Sequence, residues 1–80
     1  MEDFNIDETL DCRKMSCPMP LLMAKKALKK MKSGQILEIL GTDPGTAIDL
    51  PVFTKREGHE YLGKREEKEF VRYFICVNKV

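Results

Sequence analysis

The chain has 80 residues, 42% of them hydrophobic, and its charged side chains nearly cancel to a formal net charge of +1. Chains of this length bury only about 60% of their unfolded surface, which excludes two separate cores, so we expect a single domain over residues 1–80. The balanced charge excludes an overall basic field for nucleic acid. The acidic start MEDFNIDE is unlike a signal peptide, and no apolar run approaches the roughly 18 residues of a membrane span. We therefore expect a cytoplasmic monomer that binds neither membranes nor nucleic acids directly.

The first two predicted elements are a strand and an amphipathic helix. Weak alternation of apolar residues predicts a strand from Phe4 to Leu10. A helix is predicted from Pro18 to Lys32, with lysines on its outer arc and apolar residues at steps of three and four, namely Leu21, Ala24, Ala27, Leu28 and Met31. Pro18 suits the first helical position, and Gly34 suits the end of the helix.

Four further elements follow, in the order strand, helix, strand, strand. QILEILG, residues 35–41, predicts a buried strand, and a helix is expected from Thr46 or Asp49 to Glu57. Pro51 favours the later start, because proline is tolerated in the first helical turn. HEYLGKREE and EFVRYFICV predict a weak and a strong strand, with a turn near residues 66–69. A single sheet with both helices on one face fits this length better than three layers.

Three cysteines stand at positions 12, 17 and 76, and no two of them have the C-x-x-C spacing of common zinc and redox motifs. An odd number does not fit a closed disulfide framework, so we expect reduced thiols. Cys76 lies in an apolar run and is expected to be a core or sheet side chain.

Cys17 stands directly before Pro18 in the stretch LDCRKMSCPMP. A residue before proline avoids the helical region, as an N-cap residue does, and a helix N-terminus stabilises anions. Cysteines at such positions have pKa values lowered from about 8.5 to roughly 3.5–7.5. Arg13, Lys14 and Lys26 would add positive charge, so we expect an exposed, nucleophilic sulfur.

The residue types alone leave several roles open for Cys17. They include persulfide transfer, thiol-disulfide exchange with Cys12, acyl transfer, metal ligation, and burial as a small apolar side chain. Acyl transfer usually needs a base, and the only histidine, His59, follows Gly58 at the end of the second helix, where a structural role is expected. A disulfide between Cys12 and Cys17 would need their Cα atoms within about 7 Å.

The segment DCRKMSCPMP resembles the TusA/SirA family of small sulfur-transfer proteins, whose signature is Cys-Pro-x-Pro at the first helix, after Asp-x-Arg-Gly-Leu-x. The residues that match are Asp11, Arg13, Cys17, Pro18 and Pro20, whereas Lys14 and Met15 stand where the family usually has glycine and leucine. The resemblance continues through MKSGQILEI, TDPGTAIDLPVF and the Gly-His pair at 58–59. It implies an α/β (α+β) two-layer sandwich of βαβαββ order with a four-stranded mixed sheet and two helices on one face, similar to the C-terminal domain of translation initiation factor 3.

The chemistry implied by the resemblance is sulfur relay. Cys17 would accept a sulfane sulfur as a persulfide from a cysteine desulfurase or rhodanese-like donor and pass it to a downstream acceptor protein, with no metal and no cofactor. As a sulfurtransferase-type carrier it would feed tRNA thiolation, cofactor biosynthesis or sulfur metabolism, and the sequence does not choose between these pathways.

The remaining candidate residues support Cys17 in different ways. Pro18 and Pro20 would fix the loop and the helix start, while Arg13 and Lys26 would support the thiolate or contact a partner. Asp11 would order its loop, as would Asp43. Met19 and Leu22 would form an exposed apolar docking site for the partner. Cys12 is favoured as a spectator or auxiliary thiol, because the family chemistry requires one cysteine.

Two other classes of function are alternatives to the sulfur carrier. A thiol redox module would use Cys12 and Cys17 as a disulfide pair, so Cys12→Ser would abolish its activity. A non-enzymatic RNA- or protein-binding regulatory module would use the open sheet face and the lysine-rich helix. The balanced charge and the small number of aromatic residues make RNA binding the weaker interpretation.

Overall fold

The computed structural model describes residues 5–79, which form two helices and a four-stranded sheet in βαβαββ order. The strands are β1 (Ile6–Cys12), β2 (Ile36–Gly41), β3 (Glu60–Glu66) and β4 (Val71–Cys76). The helices are α1 (Met19–Lys30) and α2 (Pro44–Arg56). The predicted α+β two-layer fold with a four-stranded mixed sheet is therefore confirmed.

The sheet has the strand order β1-β2-β4-β3. The first crossover makes β1 parallel to β2, whereas β4 is antiparallel to both of its neighbours. The turn between β3 and β4 closes with a 2.8 Å hydrogen bond from the Glu67 N–H to the Phe70 carbonyl, close to the position predicted for it. Because β2 and β4 lie in the middle of the sheet, their side chains form the centre of the core.

One continuous core lies between the helices and one face of the sheet. Among the described residues it contains Cys12, Ala24, Leu28, Met31, Leu37, Ile39, Leu50, Tyr73, Ile75 and Val77. Ala24, Leu28 and Met31 belong to the apolar stripe predicted for α1, and their burial confirms the direction of that stripe. In α2 the buried side chains are Thr46, Leu50 and Thr54, at steps of four.

The other face of the sheet carries a polar network that the sequence pattern did not predict. Glu38 on β2 is buried, and its carboxylate accepts a 3.0 Å hydrogen bond from the Thr9 hydroxyl. Arg72 on β4 pairs with the same carboxylate and lies over the Phe74 ring, 5.2 Å from its centroid. The buried carboxylate is thus both paired and hydrogen-bonded, as a buried charge requires.

The ends of three predicted elements were wrong. β1 continues beyond Leu10 to Cys12, because Asp11 and Cys12 pair with β2; Phe4, the predicted start, lies outside the described residues. The first helix begins after Pro18 and ends at Lys30, since Met31 already has an extended backbone.

No helix within residues 5–79 is long and apolar enough to span a membrane.

The largest error concerns α2, which begins at Pro44 and not at Thr46 or Asp49. Asp43 caps this start, because its side chain accepts a hydrogen bond from the Gly45 N–H, and Pro44 fits the first helical position. Pro51 therefore lies inside the helix, where it supplies no N–H for the hydrogen bond that would normally go to residue 47. A good cap at the earlier position outweighs the cost of the internal proline.

Candidate functional site around Cys17

The loop between β1 and α1 begins with a tight turn. The Met15 N–H donates to the Cys12 carbonyl at 3.1 Å, and Lys14 has a φ of +72°. The Lys14 N–H also donates to the Thr42 hydroxyl at 3.0 Å, which ties this turn to the loop after β2. A positive φ favours glycine, and this explains physically why proteins with this motif usually have glycine where this chain has Lys14.

Cys17 lies in a second turn, immediately before α1. The Cys17–Pro18 peptide bond is cis, and the Met19 N–H donates to the Ser16 carbonyl at 2.9 Å. Pro18 occupies the N-cap position, so the helix starts one residue later than predicted. The expectation that Cys17 is the N-cap residue and Pro18 the first helical residue was therefore wrong, because Pro18 takes the cap position and Met19 is the first residue of α1.

The first turn of α2 holds the backbone of Cys17. One carboxylate oxygen of Asp43 accepts the Cys17 N–H at 2.6 Å, and the other accepts the Gly45 N–H at 3.0 Å. These two bonds lower the pKa of Asp43. A Cβ built on Gly45 would lie 3.6 Å from the Cβ of Cys17, so the two segments are in close contact. Asp43 thus orders its loop, as predicted, and also positions Cys17.

The Cys17 sulfur faces carboxylates. Its thiol donates a 3.4 Å hydrogen bond to Asp49, an exposed residue of α2. Burial raises the pKa of Cys17, and the hydrogen bond and charge of Asp49, followed by the charge of Asp43, raise it further. The expected lowering of this pKa was therefore wrong. The prediction considered only the neighbours of Cys17 in the sequence, whereas Asp43 and Asp49 lie 26 and 32 positions further along the chain.

Two of the predicted supporting residues bind each other. Arg13 forms a two-pronged contact with Asp11, through Nε to Oδ1 and Nη2 to Oδ2, each at 2.8 Å. The hydrogen bonds from Arg13 lower the pKa of Asp11 to about 2. The guanidinium also lies over the Phe70 ring, 5.3 Å from its centroid. Arg13 is thus engaged in a cleft beside the β3–β4 turn, and within residues 5–79 it makes no hydrogen bond to Cys17.

Within residues 5–79, neither Lys26 nor His59 forms a hydrogen bond with the sulfur. Lys26 is an exposed residue of α1, and it is not among the charges that act on Cys17. His59 follows the far end of α2, where its Nδ1 accepts the Asn78 N–H at 3.0 Å. The thiol contacts Asp49 on α2, and the ten positions from Asp49 to His59 correspond to about 15 Å along the helix axis. The geometry therefore fits the structural role predicted for His59.

The other two cysteines have different environments from that of Cys17. All three are free thiols. Cys12 is completely buried in the core, and burial raises its pKa. Cys76 is half-buried on β4, as expected for a sheet side chain. Within residues 5–79, no group of three or more His, Cys, Asp or Glu residues could hold a metal ion.

Both helices carry exposed apolar residues within five positions of Cys17 or Asp49. Met19 and Leu22 of α1 are 48% and 54% exposed, as the docking hypothesis requires. Ile48 and Val52 of α2 are 72% and 58% exposed and stand four residues apart, on one side of the helix. We call these four residues the apolar rim. Its α2 half was not among the predicted docking residues, because Ile48 and Val52 lie more than 30 positions from Cys17 in the sequence.

Comparison with known proteins gives matches over most of the chain. The profile of the family described as "Sulfurtransferase TusA" matches residues 8–77. The sulfur carrier protein TusA of Allochromatium vinosum is 45% identical over 67 residues, which are 84% of this chain and 86% of the relative. YrkF of Bacillus subtilis is 46% identical over 66 residues, 82% of this chain, but this chain spans only 36% of the length of YrkF.

A solved structure agrees with the fold described above. The SirA-like protein from Desulfitobacterium hafniense superimposes with a TM-score of 0.73 at 24% sequence identity. The match covers 90% of this chain and 99% of that protein. At this level of identity the similarity shows the fold alone, whereas the family profile spans the cysteine loop and both helices. The chain belongs to the TusA family of sulfur-transfer proteins.

Proposed function

We propose that the protein is a sulfur carrier that holds a sulfane sulfur as a persulfide on Cys17. The observation that carries this proposal is the position of Cys17, which is partly exposed just before α1 and has its backbone N–H held by the Asp43 carboxylate. Cys12 is buried in the core, and this favours a packing role for Cys12 over thiol-disulfide exchange with Cys17. The proposed activity is that of a sulfurtransferase-type carrier that needs no cofactor.

The transfer can be written with its atoms and electrons balanced. The Cys17 thiol loses its proton, and the thiolate attacks the outer sulfur of the persulfide on the donor. The S–S bond of the donor breaks, and the donor sulfur leaves with the electron pair and takes up a proton. Cys17 is then a persulfide, the donor is a thiol, and no external oxidant or reductant is required. Attack by an acceptor thiolate on the outer sulfur reverses these roles and empties the carrier.

The partners follow from this chemistry. The donor must present a persulfide, as a cysteine desulfurase or a rhodanese-like protein does, and the acceptor is a downstream sulfur-binding protein. We propose that the apolar rim is the docking surface, because its side chains are exposed and stand within five positions of Cys17 or of Asp49, which binds the sulfur. A partner that covers the rim would bring its own sulfur close to Cys17 and exclude water from the transfer. Free thiols fit a reducing compartment, and we propose a cytoplasmic location.

Loading can be tested with glutathione persulfide and with a cysteine desulfurase supplied with cysteine. Intact-mass measurement should show the gain of one sulfur atom in the unaltered protein and in Cys76→Ala. Cys17→Ala should gain none, because its side chain cannot form a persulfide. A sulfur retained by Cys17→Ala would overturn the assignment of Cys17 as the carrier. Loss of loading in Cys12→Ser, with the fold preserved, would favour the redox alternative.

A further inference from the structure

The two carboxylates near Cys17 bind different atoms of this residue. Both oxygens of Asp43 are occupied by backbone N–H groups, one from Cys17 and one from Gly45. Asp49 instead meets the sulfur itself, through a 3.4 Å hydrogen bond from the thiol. Asp43 therefore positions the residue, while Asp49 touches the reacting atom.

We propose that Asp49 is an electrostatic gate, which holds the thiol of the empty carrier in its protonated, unreactive form. This inference rests on the carrier function proposed above. A protonated thiol donates its proton to the Asp49 carboxylate, whereas a thiolate at the same position would be repelled by it. The contact thus stabilises the neutral sulfur and disfavours the nucleophilic form.

No basic side chain within the described residues forms a hydrogen bond or ion pair with Asp43 or Asp49. The charges that act on it are Asp49 from α2 and Asp43 from the loop before α2, and both raise its pKa. From the loop before α1, Arg13 is bound to Asp11, and Lys14 lines the cleft on the Phe70 side. On α1, Lys25 lies within 4.0 Å of Glu57 at the other end of α2. The surroundings of the sulfur therefore favour the neutral thiol over the thiolate.

A gate of this kind has a chemical advantage for a carrier. A thiolate reacts with oxidants and small electrophiles, and such reactions would block the sulfur site. The neutral thiol resists them until a donor docks. A donor that places a cationic group beside Asp49 would remove the repulsion and permit the thiolate to attack the persulfide. The partner chemistry implied is a positively charged group next to the donor persulfide.

The test is the pH profile of Cys17 alkylation in Asp49→Asn, which keeps the shape of the side chain and removes its charge. Iodoacetamide modification is followed on the tryptic peptide 15–25, which contains Cys17 and neither of the other cysteines. We expect the midpoint of the profile to move to lower pH. At a pH below both midpoints, the larger thiolate fraction outweighs the lower nucleophilicity of the less basic thiolate, so Asp49→Asn should be alkylated roughly threefold faster than the unaltered protein. Above both midpoints the unaltered protein should react faster.

Two controls separate the charge effect from other causes. Glu60→Gln removes one negative charge at the opposite end of the sheet, where Glu60 pairs with Cys76, and its profile should match that of the unaltered protein. Asp49→Glu keeps the charge and should stay closer to the unaltered protein than Asp49→Asn does. Circular dichroism verifies that each variant is folded. Asp49→Asn removes the charge, whereas Asp49→Glu changes the packing and keeps the charge. A midpoint of the alkylation profile that moves mainly in Asp49→Asn therefore reports the charge.

The inference is overturned if Asp49→Asn has an unchanged or higher midpoint, or if Glu60→Gln moves it equally. The carrier function is judged separately, by sulfur loading of the unaltered protein from glutathione persulfide. A protein that loads sulfur but whose midpoint does not move in Asp49→Asn retains the function without the gate. A protein whose midpoint moves but which loads no sulfur has the electrostatic contact without the carrier function.

Discussion

Around Cys17, individual side chains act on its backbone and on its sulfur separately. Asp43 binds the Cys17 N–H, and Asp49 binds the thiol, although both lie in a segment more than 25 positions further along the chain. The cysteine and its prolines could be identified from the sequence, because they form one local motif. The pKa of Cys17 could not, because its direction depends on carboxylates that only the fold brings to the sulfur.

Asp11 and Arg13 offer a titration test at the residue scale. The hydrogen bonds from Arg13 hold the pKa of Asp11 at about 2, below its usual value of 3.8. In Arg13→Gln the charged partner is gone, so the pKa of Asp11 should rise toward 3.8. Carbon-13 NMR of the side-chain carboxyl measures this directly, with Arg65→Gln as a control at another exposed arginine. A midpoint that stays near 2 in Arg13→Gln would refute the assigned contact.

The same ion pair predicts a dependence of stability on acid. The folded-state pKa of Asp11 is lower than its unfolded value, so the pair stabilises the fold fully above pH 3.8 and loses this contribution as the pH falls toward 2. Urea unfolding over this interval should therefore show a smaller loss of stability in Arg13→Gln than in the unaltered protein. Equal losses in the two proteins would show that Asp11 and Arg13 are not paired in solution.

At the scale of elements, the apolar pattern predicted the six elements and their order, but it predicted their ends less well. Periodicity reports which face of an element is buried, as it did for Ala24 and Leu28 of α1. Ends depend on caps and turns: the Asp43 cap starts α2 early, and α1 begins only after the turn that the Met19 N–H closes on the Ser16 carbonyl. The later start predicted for α2 was wrong, because the Asp43 cap outweighs the cost of having Pro51 inside the helix.

The ion pair on the open sheet face tests the energetics of β4. Arg72 and Arg65 are cross-strand neighbours, but only Arg72 pairs with the buried carboxylate of Glu38. Arg72→Ala should lower the free energy of unfolding by about 1–3 kcal/mol, because it leaves a buried charged acceptor without its partner. Arg65→Ala removes an exposed side chain and should change it by no more than about 0.5 kcal/mol. If urea unfolding shows the same change in the free energy of unfolding for Arg72→Ala and Arg65→Ala, the ion pair of Arg72 with Glu38 does not stabilise the fold.

At the scale of the whole molecule, the small core limits stability. A chain of 80 residues is expected to have a free energy of unfolding of about 4–12 kcal/mol. Leu37 is fully buried on β2, and Leu37→Ala should cost about 2–5 kcal/mol, a large part of the total. Leu22→Ala makes the same chemical change in the apolar rim, where the side chain is 54% exposed, and should cost less than about 0.5 kcal/mol.

The same pair of variants tests docking at the rim. Leu22→Ala should leave loading by glutathione persulfide unchanged, since this small donor needs no docking surface, but it should slow loading by a protein donor. Leu37→Ala, measured where it remains folded, should affect neither reaction specifically. If a protein donor loads Leu22→Ala and the unaltered protein at equal rates, Leu22 is not part of the docking surface.

The position of the carried sulfur is the most direct test of the central claim that Cys17 is the carrier. After loading with glutathione persulfide and capping with iodoacetamide, trypsin separates the three cysteines, since Cys12 lies before Arg13, Cys17 within residues 15–25 and Cys76 within residues 73–79. Mass spectrometry should find the extra sulfur on the peptide with Cys17 and not on the other two. An extra sulfur found instead on the peptide with Cys12 or on the peptide with Cys76 would contradict the account.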